Sequence, residues 1–98
     1  MRYIYHPEAL AEYADAALYY EERTLGLGAD FTLEVETAIH KVLEAPDRWQ
    51  CIEDDIRRFL VRRFPYGVLY TIEAEHILIL AIMHLSREPG YWRHRAMK

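Results

Sequence analysis

Ninety-eight residues leave room for one domain, so residues 1–98 are expected to form a single folded unit. Hydrophobic residues make up 52% and charged residues 29%, which excludes a disordered chain and allows a packed core. The net charge of −4 conceals a division: residues 1–55 carry thirteen Asp/Glu against four Lys/Arg, and residues 56–98 carry three against eight. The front half is expected to present acidic surface and the back half basic surface, a statement about partners rather than about fold. Cys51 is the single cysteine, so no disulfide can form within the chain, which fits a reducing cytoplasm. Met1 to Tyr5 is not expected to open a signal peptide, because Pro7 and Glu8 stand where an apolar run is needed. The longest apolar stretch, Ile77 to Met83, is too short to span a bilayer, and no membrane association is expected.

Arg2 to Tyr5 is short, aromatic and β-branched and predicts a first strand. His6-Pro7-Glu8 opens a helix, with Pro7 suited to its first position and Glu8 favourable at the positive end of the dipole. Leu10, Tyr13, Ala14, Ala17 and Tyr20 recur at steps of three and four and form its apolar stripe. Gly26 is placed to end it in a left-handed conformation. A second helix starts at Gly28 or Asp30, buries Phe31, Val35, Ala38, Ile39 and Val42, and stops at Pro46. The short connection makes the two helices an antiparallel hairpin, with Ala14 and Ala17 allowing close approach. Asp47 to Asp55 has no clear period and is expected to be a loop.

The period then changes to two. Arg57 to Phe64 alternates as a strand, with Phe59 and Val61 on one side and Arg58 and Arg62 on the other. Pro65-Tyr66-Gly67 turns the chain into a strand over Tyr66 to Glu73. Ala74-Glu75 turns it again into His76 to His84, whose near-continuous apolar run predicts a central strand covered on both faces. The expected fold is α+β in the order β-α-α-β-β-β: a helix hairpin on one face of an antiparallel meander, with the first strand at an edge. A short helical turn is expected after Pro89, and the chain beyond Trp92 is of a kind that orders on binding.

Several segments together resemble RelE/ParE-family toxins of type II toxin–antitoxin systems. They are Tyr19-Tyr20-Glu21, Gly26-Leu27-Gly28 and Phe31 in the front half. In the back half they are Arg62-Arg63-Phe64-Pro65-Tyr66 with Val68 and Tyr70, then His84, Arg87 and Pro89-Gly90-Tyr91-Trp92. The resemblance covers nearly the whole chain and implies a cognate antitoxin partner in a hetero-oligomeric complex. It implies one of two targets: mRNA, cut at the ribosome, or DNA gyrase, trapped on its cleaved DNA. The shared fold does not choose between them.

Metal-free RNA cleavage requires a base for the 2′-hydroxyl, a cation for the phosphate and an acid for the leaving oxygen. Candidates on the sheet and tail are Arg58, Arg62, His84, Arg87, Tyr91 and His94; His84, Arg87 and Tyr91 are the set expected to act if the protein is a nuclease. The nuclease branch carries several lysines on the sheet, whereas the back half here holds only Lys98. A net charge of −4 also disfavours docking into ribosomal RNA. Arg58, Arg62, Arg63, Trp92 and Arg93 are the expected contacts for a target or antitoxin, through hydrophobic anchors and opposite acids. Competing assignments are ordinary ones: a solvated arginine face, a rim histidine at His84, and Tyr91 and Trp92 packing the tail onto the sheet. His6, His40, His76, His84 and His94 show no metal-ligand spacing, Cys51 lacks a basic neighbour, and Gly26-Leu27-Gly28 lacks the strand a dinucleotide site requires. No metal or cofactor is expected. Gyrase-directed inhibition is the favoured expectation, ahead of RNA cleavage and of a non-toxic relative that keeps only the antitoxin contact.

Overall fold

The first strand, β1 (Arg2–Tyr5), leads through His6 into α1 (Pro7–Arg23), and the His6 ring nitrogen accepts the Glu8 N–H at 3.1 Å as a cap. The chain continues through α2 (Leu27–Glu44), β2 (Cys51–Glu53), β3 (Ile56–Leu60), β4 (Tyr66–Ile72), β5 (His76–His84) and α3 (Arg93–Ala96). A computed structural model describes residues 1–96, so Lys98, the one lysine of the back half, lies outside the described residues.

The two helices and the three-stranded meander form as their periodicities predict, except that β3 ends at Leu60 and the expected strand residues Val61 to Phe64 belong to the turn. The sheet has five strands in the order β1-β5-β4-β3-β2 and is mixed: β1 joins the outer edge of β5 in parallel, from Arg2 opposite His76 to Tyr5 opposite Ile79. The fifth strand, β2, lies within the stretch expected to be a loop. Cys51 pairs opposite Arg57 there, and Arg57 donates to the Asp47 and Trp49 carbonyls. A three-residue edge strand is too short to show a period among the acids around it.

Helix α1 corrects the expected stripe. Ala9 and Ala16 are buried, whereas Leu10 and Ala14 are exposed. Alanines face the sheet because the helix lies close upon it, and the bulkier leucine is turned out. Tyr13, Ala17 and Tyr20 keep their expected inward places. Tyr20, Phe31, Phe64 and Tyr66 stack with ring centroids between 4.9 and 6.3 Å, joining both helices to the β3–β4 turn. Tyr19 stands at the margin of that packing, edge-on to Tyr20 at 5.4 Å and half exposed beneath the Arg23 guanidinium.

Gly26 has φ +87°, as expected of a left-handed residue, but α1 is already capped at Thr24, and Gly26 instead caps α2. The Glu21 carboxylate accepts the N–H groups of Gly26 and Gly28, satisfying donors at the start of α2. The close approach of the helices is at Ala17 and Gly28 rather than at Ala14: a Cβ on Gly28 would lie 2.7 Å from the Ala17 carbonyl oxygen.

The sheet has two apolar faces. One, with Val68, Tyr70, Ile77, Ile79 and Ile82, packs under the helix hairpin. The other, with Ile56, Leu69, Leu80, Ala81 and Met83, is covered by Trp92, so β5 is buried on both faces. Leu69 pairs with Ala81 and Tyr70 with Ile79, which makes Leu80 an extra, bulged residue. That bulge puts Leu80 and Ala81 on the same face. Gly28→Ala is expected to lower stability by about 1–3 kcal/mol, because two backbones must separate; urea unfolding of the variant checks this.

Candidate functional site

The helix hairpin leaves the second face of the sheet to the tail. After β5 the chain turns at Ser86, reverses at Gly90 (φ +79°) and drops Trp92, only 3% exposed, onto Leu69, Leu80 and Met83. Trp92, expected as a binding residue, is therefore a packing residue that also forms the floor of a cavity.

That cavity, of about 350 Å³, gathers Arg58, Arg87 and Arg93 over Ile52, Met83 and Trp92. Arg58 reaches it because its alkyl stem lies across Gly67, where an added Cβ would come within 3.2 Å of Arg58 Cγ. Arg58 makes no ion pair among the described residues, so its charge is available to a partner. Arg93 is engaged: its guanidinium makes a bidentate pair with Glu53, from 2.7 to 3.0 Å. The Arg93 hydrogen bond holds the Glu53 carboxyl below its usual range. Arg62 and Arg63 do not join this cavity. Arg63 has φ +69° in the β3–β4 turn and lies 3.7 Å from Asp30 and 3.9 Å from Glu34 on α2. Arg62 is exposed in the same turn, beyond the end of β3. Strand alternation lapses at Leu60, which is why the expected pairing of Arg58 with Arg62 on one face does not hold.

Arg87 also borders a second cleft, of about 290 Å³, with Glu12, Tyr19, Tyr66, Ile82 and His84. His84 Nδ1 is held by Ser86, 2.7 Å from its hydroxyl and 3.0 Å from its N–H, and the ring stands edge-on to Tyr66. Tyr91, the third residue of the expected catalytic set, does not border this cleft. Its hydroxyl donates to Glu12 at 2.5 Å, and the Arg87 guanidinium lies 3.9 Å above its ring. Burial and that bond both push the Tyr91 phenol well above its ordinary pKa. His94, the remaining candidate, is at the far side of the tail and contacts Glu8 at 2.8 Å.

Glu12, which the periodicity of α1 places only among its polar residues, is the residue that organises the site. Its carboxylate accepts from Tyr91, from two nitrogens of Arg95 (2.8 and 3.1 Å) and from the Ile82 N–H (3.1 Å), with Arg87 at 4.0 Å. Arg95 is 9% exposed and also donates to the Leu80 carbonyl. Burial opposes its charge, and Glu12 more than offsets that cost. Arg95, next to the last described residue, and Glu12, in the second turn of α1, carry no local sign of this pairing. Glu12→Ala is expected to leave the Arg95 charge buried without its partner and to destabilise by about 3 kcal/mol. Faster tryptic cleavage after Arg93 and Arg95 than in the unaltered protein is the measurable consequence.

Among the described residues no cluster of His, Cys, Asp or Glu is suited to a metal ion, and no helix is long and apolar enough to cross a membrane. No curated protein matches the chain. Among solved structures it is similar to the one described as the chromosomal ParDE TA system from P. aeruginosa, with a TM-score of 0.74 and 13% identity over 88% of this chain and 97% of that one. The α+β architecture described above, with its mixed sheet, is thus shared with that structure. The family model described as the ParE toxin of the type II toxin–antitoxin system parDE matches residues 3–89. With a match that takes in β1, the hairpin and the whole meander, the chain belongs to the ParE toxin family of type II toxin–antitoxin systems.

Proposed function

We propose that this ParE-family toxin acts in the cytoplasm on a protein target, DNA gyrase, and that a cognate antitoxin silences it by covering the Arg58–Arg87 cavity. The observation that carries the choice of target is the state of the groups RNA cleavage would need. Tyr91 is hydrogen-bonded to Glu12 with its phenol pKa raised, and His84 is tied to Ser86. Neither is disposed to take a proton from a ribose hydroxyl. The lysine among the described residues, Lys41, is on α2 and away from the sheet. The cavity itself has the make-up of a peptide-binding surface, with an apolar floor and cations at its rim.

One observation favours the RNA-cleaving alternative: His84 and Arg87 border the same cleft with Tyr66. An imidazole and a guanidinium on one wall are two of the residue types that reaction uses. The purified toxin separates the two readings. Inhibition of gyrase supercoiling with message left intact is expected; cleaved message with supercoiling untouched, abolished by Arg87→Ala, assigns the alternative.

The antitoxin contact has its own test. The protein encoded by an adjoining short reading frame is expected to supply apolar anchors and acidic residues opposite Arg58 and Arg87. Replacing both arginines by Glu is expected to weaken that complex by about a hundredfold, at tenfold or more per reversed contact. Equal affinity in a titration of the two proteins would overturn the placement.

A further inference from the structure

A third cleft, of about 560 Å³, opens where the end of α1 meets the sheet. Tyr19, Tyr20 and Arg23 line it from the helix, and Tyr66, His84 and Ser86 from the strands, Tyr66 and His84 lying opposite each other in the β4–β5 pairing. It adjoins the cleft that holds Arg87, with Tyr19, Tyr66 and His84 as their common wall. Helix α1 carries five acids, yet among the described residues none lines this cleft. Glu8 and Glu12 are taken by the tail, Asp15 lies on the neighbouring cleft, Glu21 accepts the Gly26 and Gly28 N–H groups, and Glu22 is exposed elsewhere.

What lines the cleft is a set of donors. The Arg23 guanidinium lies 3.8 Å over the Tyr19 ring and makes no ion pair among the described residues. His84 is oriented by its own turn: Nδ1 accepts the Ser86 N–H at 3.0 Å. A backbone N–H can only donate, so the neutral ring carries its hydrogen on Nε2, which has no partner among the described residues. The Tyr20 and Tyr66 hydroxyls are likewise without one, and burial pushes both phenols up, so they keep their protons. Ring contacts hold these groups in place, Tyr20 to Tyr66 at 6.3 Å and Tyr66 edge-on to His84 at 5.0 Å. A fixed imidazole N–H and an unpaired guanidinium call for an acceptor with negative charge. The space exceeds what a bare inorganic ion fills, and its walls are tyrosine rings, so that charge belongs on an aromatic group.

We propose that this cleft binds a small aromatic oxyanion, a carboxylate or phosphate borne on a ring, with Arg23 as its cation and the His84 Nε2–H as its second donor. The site does not depend on which macromolecule the toxin attacks, so the gyrase assay and the binding assay stand or fall separately. The probes are benzoate and phenyl phosphate, with phenol and benzamidine as neutral and cationic counterparts of the same ring, titrated into the full chain and followed by nuclear magnetic resonance. At least one of the two anions is expected to saturate at low millimolar concentration, about tenfold or more tighter than phenol and benzamidine. The tighter of the two anions assigns the headgroup. The ring nitrogens of His84 are expected to show the hydrogen on Nε2 before ligand is added, and Nε2 to shift as the site fills. Arg23→Gln, at an exposed position, is expected to weaken the anion about tenfold with unchanged circular dichroism, and Arg58→Ala, in the other cavity, to leave its affinity as it was. Anions that bind no better than phenol, a hydrogen on Nδ1, or an Arg23→Gln variant that binds as the unaltered chain does would each overturn the proposal.

Discussion

At Glu12 a helix, a strand edge and the tail of the chain meet on one carboxylate. The need for it arises in the sheet. Strand β1 ends at Tyr5, opposite Ile79, where β5 bulges at Leu80. Beyond that point the outer edge of β5 has no strand beside it, and a buried peptide group without a partner costs about 1–3 kcal/mol. Glu12 takes the Ile82 N–H and Arg95 supplies a donor to the Leu80 carbonyl, so a charged pair replaces the missing strand. Each charge is tolerated in its buried setting because the other is there. The pairing also fixes Tyr91 and brings Arg87 within 4.0 Å, so the direction of the tail follows from the ending of β1.

The basic character of the back half is therefore divided among different tasks. Arg95 and Arg57 are structural, the first at the edge of β5 and the second holding the link before β2 through two carbonyls. Arg63 ties the β3–β4 turn to α2, and Arg93 ties the tail to β2 through Glu53. Among the described residues Arg58 makes no ion pair, and Arg87 meets the face of Tyr91 and a distant carboxylate. Net charge marks the back half as basic; the geometry brings Arg58 and Arg87 to one cavity, away from Arg62 and Arg63. The same segregation gives the hairpin nine acids, six of which are spent on hydrogen bonds or ion pairs within the fold.

What the sequence shows is governed by how local the physical cause is. Both helices and the three-strand meander are legible because periodicity is a property of neighbouring residues. The inward face of α1 is only partly so. Tyr13, Ala17 and Tyr20 lie inward as their spacing predicts, but hydrophobicity favours Leu10 over Ala9, whereas the tight packing of α1 on β5 favours alanine. Strand β2 is defined by its pairing with β3 and not by its own composition. At the candidate site, Arg58 and Arg87 are legible as cations on a sheet and a tail. The loss of Arg62 and Arg63 from their surface comes from a turn that places Arg63 at positive φ. The pairings of Glu12 with Arg95 and of Glu53 with Arg93 join distant parts of the chain, and a single sequence holds no trace of them.

The parallel pairing of β1 with β5 has a consequence for the order of events at synthesis. The first residues made, from Arg2, find their partners only when the chain has been extended past His76. Until then the hairpin has no sheet to lie on, and Phe31, Val35 and Ile39 remain open to water. A chain built of such distant contacts folds late and as a whole. An emerging polypeptide thus stays without its finished surfaces until nearly all of it has left the ribosome.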